Sequence, residues 1–278
     1  MFLDEIIKYK KEELMETKRK VPVIELKRRL NDLPPTKGFK EVFLSPAPDH
    51  EPITRIITEI KRASPSKGII RNDFDPVRIA RIYEKEGATA ISVLTETHYF
   101  KGSADHLQLI RQAVKIPLLR KDFIFDEYQV YEARVWGADA VLLISAILDT
   151  DELRKLINLS KKLGLDCLLE VHNPEELRKA LNAEGEMIGI NNRDLHSFEV
   201  DTNNTLRLIP VIPKGIVVIS ESGINTREEI IRLQGAGVNG FLIGEALIRE
   251  QDIGMKLRDF LGIDSKDFSK NQSKVKAG

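Results

Sequence analysis

Cysteine is almost missing: Cys167 is the only one in 278 residues, which excludes an internal disulfide framework and a cysteine-rich zinc site. No apolar stretch approaches the length of about 20 residues that a helix needs to cross a bilayer. The opening stretch, Met1 to Lys20, lacks the charged-apolar-small order of a secretory signal and carries too many acids for a mitochondrial transit peptide. Net charge is missing as well. The 43 basic side chains cancel 43 acidic ones, so no basic field is available for a nucleic acid to follow. His50, His98, His106, His172 and His196 show no metal-ligand spacing, and no HExxH motif occurs. No metal site is expected. What remains is a cytoplasmic protein of a reducing compartment, with a small molecule as its partner rather than a nucleic acid or a membrane.

What the chain does contain is a weak internal repeat. Gly87 to Leu94, Gly137 to Ile144 and Gly237 to Ile243 each place a glycine at the end of a helical pattern, then a short turn, then an unbroken apolar run. Gly185 to Ile190 supplies the missing middle member. A second series, Arg55 to Lys61, Pro117 to Lys121, Asp166 to Val171 and Ile216 to Glu221, interleaves with the first. Eight such runs, spaced by roughly 25 residues, suit strands buried on both faces of a parallel sheet.

Amphipathic helical stretches lie between the runs. Asp75-Pro76 opens one with a capping side chain and a proline at the first helical position. Asn173-Pro174 and Asn225-Thr226 open two more, and Asp149 to Leu163 is a fourth. The count and the even spacing predict an α/β fold, a (βα)8 TIM barrel over residues 50–262. An open doubly wound sheet has the same local signals and is the competitor. Residues 1–49 form an N-terminal helical extension with apolar residues at Phe2, Leu3, Ile6, Ile7 and Leu14, joined through Pro34-Pro35 and Pro46 to Pro48. Packing on the barrel is a sufficient role for it, and Lys8 to Lys20, interrupted by Glu12, Glu13 and Glu16, is expected to be a solvated face. The polar stretch 263–278 is expected to be disordered.

In a parallel barrel the chemistry sits at the C-terminal ends of the strands. Run one ends in Glu59 and Lys61, two apart and so on one side of the strand; run three ends in Lys121 with Phe123 on the same side. Run five carries Glu170, run six ends in Asn191 and Arg193, run seven in Glu221-Ser222-Gly223, and run eight in Gly244. At any single strand end a charged residue is more often a solubilising one. Five of eight strands ending this way at one pole point instead to a ring of ionisable groups around a single mouth. Ser222-Gly223 and Gly244, after runs seven and eight, stand where barrels of this kind bind phosphate through backbone amides.

Other candidates carry less. Gly235-Ala-Gly237-Val-Asn-Gly240 has the letters of a dinucleotide fingerprint but follows a helix and precedes a strand, so it reads as a helix-end turn. His172 follows Glu170 closely, which leaves a site role open beside the favoured reading of a surface-loop histidine; Cys167 is expected on the helix-facing side of its strand, and Trp136 in packing.

The segment Glu59-Ile-Lys61-Arg-Ala-Ser64-Pro65-Ser66-Lys-Gly68 resembles the signature of the indole-3-glycerol phosphate synthase family. Leu119 to Phe123, Leu168 to His172, Gly189 to Leu195, Ser220 to Ile224 and Leu242 to Leu247 resemble its later segments, in order and without a missing block. The resemblance implies a ribulose-phosphate-binding barrel without cofactor. Its reaction converts 1-(2-carboxyphenylamino)-1-deoxyribulose 5-phosphate to indole-3-glycerol phosphate, CO2 and water in tryptophan biosynthesis. It also implies roles. Lys121 is the general acid, its pKa pushed down by neighbouring cations, and Lys61 the partner of the substrate carboxylate. Glu170 is a base or the stabiliser of a cationic intermediate, Glu59 and Asn191 hold the lysines and hydroxyls, and Glu221 tunes the network. Arg193 either contacts the substrate or orients Glu221. Ser222, Gly223, Gly244 and Glu245, with Ser64, bind the phosphate, and Phe123 lines the slot for the ring. Noncovalent association with other tryptophan-pathway enzymes is compatible with this reading. Its rivals are another phosphosugar barrel such as a phosphoribosylanthranilate isomerase, and a noncatalytic phosphosugar-binding barrel.

Overall fold

The computed structural model describes residues 2–45, 53–65, 67–194 and 197–263. Residues 264–278, nearly all of the stretch expected to be disordered, and Pro46 to Pro48 of the proposed joint lie outside the described residues. Each apolar run is a strand: β1 Ile56–Ile60, β2 Ala90–Leu94, β3 Leu118–Lys121, β4 Ala140–Ile144, β5 Asp166–Val171, β6 Met187–Asn191, β7 Val217–Glu221 and β8 Gly240–Ile243. Each pairs in parallel with its successor, and β8 pairs with β1, Ile56 opposite Phe241, which closes the barrel. Closure removes the open-sheet competitor. Among the described residues no helix is long and apolar enough to cross a membrane.

The extension contributes α1 Phe2–Lys20, α2 Val23–Arg29 and α3 Glu41–Leu44. Around the barrel run α4 Pro76–Lys85, α5 Ala104–Ala113, α6 Glu127–Val135, α7 Thr150–Lys162, α8 Pro174–Asn182, α9 Asn203–Leu208, α10 Arg227–Gly235, α11 Glu245–Ile248 and α12 Ile253–Leu261. Their starts follow from local chemistry. Asp75 accepts from the Arg78 amide ahead of a proline in the first turn, Asn173 caps α8, and Asp149 with Glu152 forms a capping box on α7. α10 is capped by Thr226 rather than Asn225, with Glu229 closing its capping box. The glycines after α10 make the helix-end turn, Gly237 adopting φ of 106°.

Strand alternation sorts the core into two layers. Ile56, Ile91, Leu118, Leu169, Ile188, Val218 and Phe241 pack outward against the helices, and Cys167 joins them as expected. Ile57, Leu119, Leu142, Leu168, Met187 and Ile219 fill the interior. Phe39 and Phe43, 5.6 Å apart between ring centroids, belong to that interior layer, so the extension plugs the barrel at the pole where the strands begin.

The rest of the extension corrects the sequence reading. α1 does more than pack on the barrel: Leu3 and Ile6 line the cavity at the opposite pole, where the strands end. Lys10, assigned to a solvated face, is only 6% exposed. It pairs with Glu13 at 2.7 Å and with Asp122, next to Lys121, at 3.1 Å. The physical reason lies in the helical period, which puts Lys10 on one stripe with the buried Ile6 and Leu14. Lys18 to Asp126 at 2.6 Å and the Tyr128 hydroxyl to the Val21 carbonyl at 2.7 Å hold the descending part against α6.

Replacing Phe43 by Ala should cost about 3–5 kcal/mol of stability, as for other buried aromatics. Turnover per folded molecule should stay near wild type, because the site lies at the far pole. Urea unfolding combined with steady-state assay checks both.

Candidate active site

The alternation that fills the barrel with apolar residues changes character at its upper rim. The last inward residues of β1, β3, β5, β6 and β7 are Glu59, Lys121, Glu170, Asn191 and Glu221. Pairing sets Asn191 directly opposite Glu221, while Leu94 lies opposite Lys121 and Ile144 opposite Glu170. Together with Lys61, Ser64, Phe123, Arg193, Ser222, Gly223, Gly244 and Glu245 they line one cavity of about 420 Å³. All of the residues singled out in the sequence therefore meet at one mouth. The short hairpin that pairs Ala63–Ser64 with Gly68–Ile69 stands over its β1 side.

Lys121 Nζ lies 3.1 Å from Glu170 Oε2 and 3.6 Å from Glu221 Oε2. Lys61 Nζ lies 2.6 Å from Glu59 Oε1. This corrects the expectation that cations surround Lys121. Burial alone would lower its pKa, but Glu170, Glu221 and Glu59 outweigh burial and raise it. Burial works against ionisation of Glu170 too, and there the Lys121 and His172 charges win and hold the carboxyl well below the usual range. Glu221 goes the other way. Burial and the two nearby carboxylates push it up to about 8 against the pull of Lys121, and its Oε1 has no hydrogen-bond partner among the described residues. Two neighbouring acids are thus driven apart by their surroundings.

His172 is a second correction. It is not a surface histidine: its side chain is 9% exposed and wedged between Glu170 and Glu176. Arg193 pairs with Glu245 at 3.7 Å. Its amide donates to Asn191 Oδ1 at 3.0 Å, and its Nη1 to the Phe198 carbonyl at 3.1 Å.

Two glycines make room for these acids. A Cβ on Gly189 would stand 2.1 Å from Glu221 Oε1, and one on Gly244 2.3 Å from Glu59 Oε1. After β7 the chain turns through left-handed backbone at Ser222 and Gly223, with φ of 65° and 78°. Such a turn is strained at a serine. Asn192 pins it by donating to the Ser222 carbonyl at 3.0 Å and to Ser220 Oγ at 3.1 Å. At the same corner Glu245 is held by Lys67 at 2.8 Å and Arg249 at 3.0 Å. Sequence reasoning missed Lys67, Phe100, Leu3 and Ile6 as lining residues. The α1 stripe carried the signal for the last two, but a helical stripe does not say which end of a barrel it faces.

A family model described as indole-3-glycerol phosphate synthase matches residues 3–260. The chain is 49% identical over 264 residues to the indole-3-glycerol phosphate synthase of Dehalococcoides mccartyi, covering 94% of this chain and 100% of that one. It is 49% identical over 261 residues to the one from Campylobacter jejuni, with the same coverage of each. Among solved structures, 3-hexulose-6-phosphate synthase from Salmonella typhimurium superposes with a TM-score of 0.61 at 13% identity over 76% of this chain and 98% of that one. KGPDC from Streptococcus mutans gives 0.59 at 11% identity over 75% and 96%. These two likenesses are of fold.

Gly189→Ala should displace the Glu221 carboxylate, the flexible end of a side chain, rather than unfold the barrel. Misplacement of about 1 Å at a reacting site costs up to about 100-fold. The expected result is a kcat lowered by about that factor with a cooperative thermal transition retained, measured by steady-state kinetics and circular dichroism.

Proposed function

The chain belongs to the indole-3-glycerol phosphate synthase family, and from that premise we propose how its residues divide the reaction. The enzyme is an indole-3-glycerol-phosphate synthase of tryptophan biosynthesis, a carbon-carbon lyase, and the isomerase alternative is not favoured. Its substrate is a small molecule with a benzoate at one end and a phosphate at the other.

The aromatic end lies by Phe123 and Phe100, whose ring centroids are 6.4 Å apart. The phosphate lies at the Ser222-Gly223 and Gly244-Glu245 backbone, with Ser64, Arg193 and Lys67 around it. In that pose the carboxylate meets Lys61, and the ketone meets Lys121.

Ring closure begins when the aromatic carbon bearing the carboxylate attacks the ketone carbon. The carbonyl oxygen becomes an alkoxide and takes a proton from Lys121. A raised pKa does not disable this acid, because an alkoxide is far more basic than any amine and the transfer runs downhill. Attack leaves the anilino ring positively charged, and Glu170, ionised beside Lys121, stabilises that charge. CO2 then departs, its bonding electrons restoring the ring. Lys61, released from the carboxylate, protonates the departing hydroxyl to give water. A carboxylate takes a proton from the adjacent methylene, and Glu221 suits this step because burial has raised its basicity. Glu59 holds Lys61 in place, and Asn191 holds the sugar hydroxyls.

The observation that carries this reading is the placement of Lys121 between two buried acids at the closed end of the cavity, with the Lys61–Glu59 pair beside it. We also propose that the enzyme works in the cytoplasm and that any contact with other enzymes of the pathway is noncovalent.

The purified chain should generate indole fluorescence and release CO2 from the carboxyphenylamino-deoxyribulose phosphate. Lys121→Ala should lower kcat by about 10²–10⁴-fold, the usual worth of a general acid. Near-normal turnover in that variant would remove the assignment. Lys61→Ala should raise KM, since it removes a contact to the substrate carboxylate, and lower kcat, since it removes the proton donor for the departing hydroxyl.

A further inference from the structure

One buried ionic chain has no part in the chemistry above. His172 follows β5 directly and shares the inward side of Glu170, two residues before it. Its Nδ1 lies 2.9 Å from Glu176 Oε2, in the first turn of α8, and its Nε2 lies 3.3 Å from Glu170 Oε1. The second contact is an ion pair rather than an aligned hydrogen bond. The Glu176 oxygen also accepts from the His172 amide at 2.8 Å, and Asn204 donates to the His172 carbonyl at 3.0 Å. Ring and backbone are both fixed.

A carboxylate at each ring nitrogen is attractive at both only if both nitrogens carry protons. The imidazolium is therefore built in: the two carboxylates push its pKa up to about 10 against the opposing effect of burial. His172 does not line the cavity, so it acts through Glu170 and not on substrate. The two oxygens of Glu170 have one cation each, Lys121 on Oε2 and His172 on Oε1.

The difference between those cations matters in the reaction. Lys121 surrenders its proton, and with it its charge, at the moment the substrate becomes cationic. With Lys121 neutral and no second cation, Glu170 would be left beside the Glu221 carboxyl from β7 and would tend to protonate when its negative charge is needed. We propose that His172, held by Glu176, is a positioning residue that keeps the Glu170 carboxylate oriented and ionised through the proton transfer from Lys121. This rests on the reading of Glu170 as the stabiliser of the cationic intermediate.

The test uses the full chain and measures kcat and KM against pH for His172→Gln, Glu176→Gln and Glu170→Gln. His172→Gln removes an opposite charge from Glu170, so the carboxyl protonates more easily and the acid limb of kcat should move to higher pH by about 1–3 units. Near neutrality kcat should fall about 10-fold or more, as when an orienting partner is lost, with KM little changed. Glu176→Gln leaves the imidazole with one carboxylate, so it loses its proton at lower pH and the alkaline limb should move down. Should His172→Gln fail to fold, the Glu176→Gln limb decides alone. Limbs that coincide with wild type in the folded variants, whatever the size of kcat, would overturn the positioning role. If Glu170→Gln is crippled while those limbs stay put, only His172 is misassigned; if Glu170→Gln turns over normally, the reading of Glu170 fails and the proposal with it.

Discussion

Lys121 sits among carboxylates, its side chain 17% exposed, 3.1 Å from Glu170 and 3.6 Å from Glu221. Removing each of these ions from solvent costs several kcal/mol, and the cost is offset only by close pairing with good geometry. Much of the architecture serves that pairing. Barrel closure brings the ends of β3, β5 and β7 to face one another across the interior, a meeting that no adjacent pair of strands could arrange. Gly189 and Gly244 clear the volume that the Glu221 and Glu59 side chains fill. α1 brings Leu3 and Ile6 over the cavity, which lowers the local dielectric and strengthens every interaction inside it.

The outer side of β3 is built with equal care. Arg120 is 1% exposed, pairs with Asp122 at 3.1 Å and Glu132 at 3.3 Å, and stacks 4.2 Å above Trp136. Asp122 also accepts from Thr95 Oγ1 at 2.7 Å and meets Lys10 from the extension. A buried arginine held this way lends rigidity more than net stability, because one-partner losses in such clusters are the costly ones. Lys121 lies between Arg120 and Asp122 in sequence, so the ionic cluster outside fixes the backbone that presents the lysine inside. The extension thus reaches the strand that carries Lys121 from α1 and the barrel floor from Phe39 and Phe43.

Much of this was legible in the chain. Runs of apolar residues located all eight barrel strands, and period-two parity put Glu59 with Lys61 and Lys121 with Phe123 on one side of their strands without any knowledge of their neighbours. Parity, however, says only which way a side chain points. It is silent on what lies across the barrel, so the surroundings of Lys121 were assigned the wrong sign of charge. His172 failed for a related reason: it stands just past a strand, where the rule for loops predicts exposure, and only the return of α8 with Glu176 buries it. Lys10 was readable in principle, on one helical stripe with Ile6 and Leu14, but its charge and its acidic neighbours suggested solvent.

Several residues that break local rules gather at the candidate site. A glycine in the middle of β6 weakens a strand, a serine with positive φ is strained, and ions buried on strand ends are expensive. Each makes sense only in terms of another: Gly189 of Glu221, Ser222 of the turn that Asn192 holds, Glu170 of Lys121 and His172. At the opposite pole Phe39 and Phe43 meet Met187 and Val217, Gly240 clears the space that the Phe43 ring fills, and the buried Asp139 is paired with Arg111 at 2.8 Å. The apolar floor can hold the fold while the rim carries charges that, taken alone, would work against it.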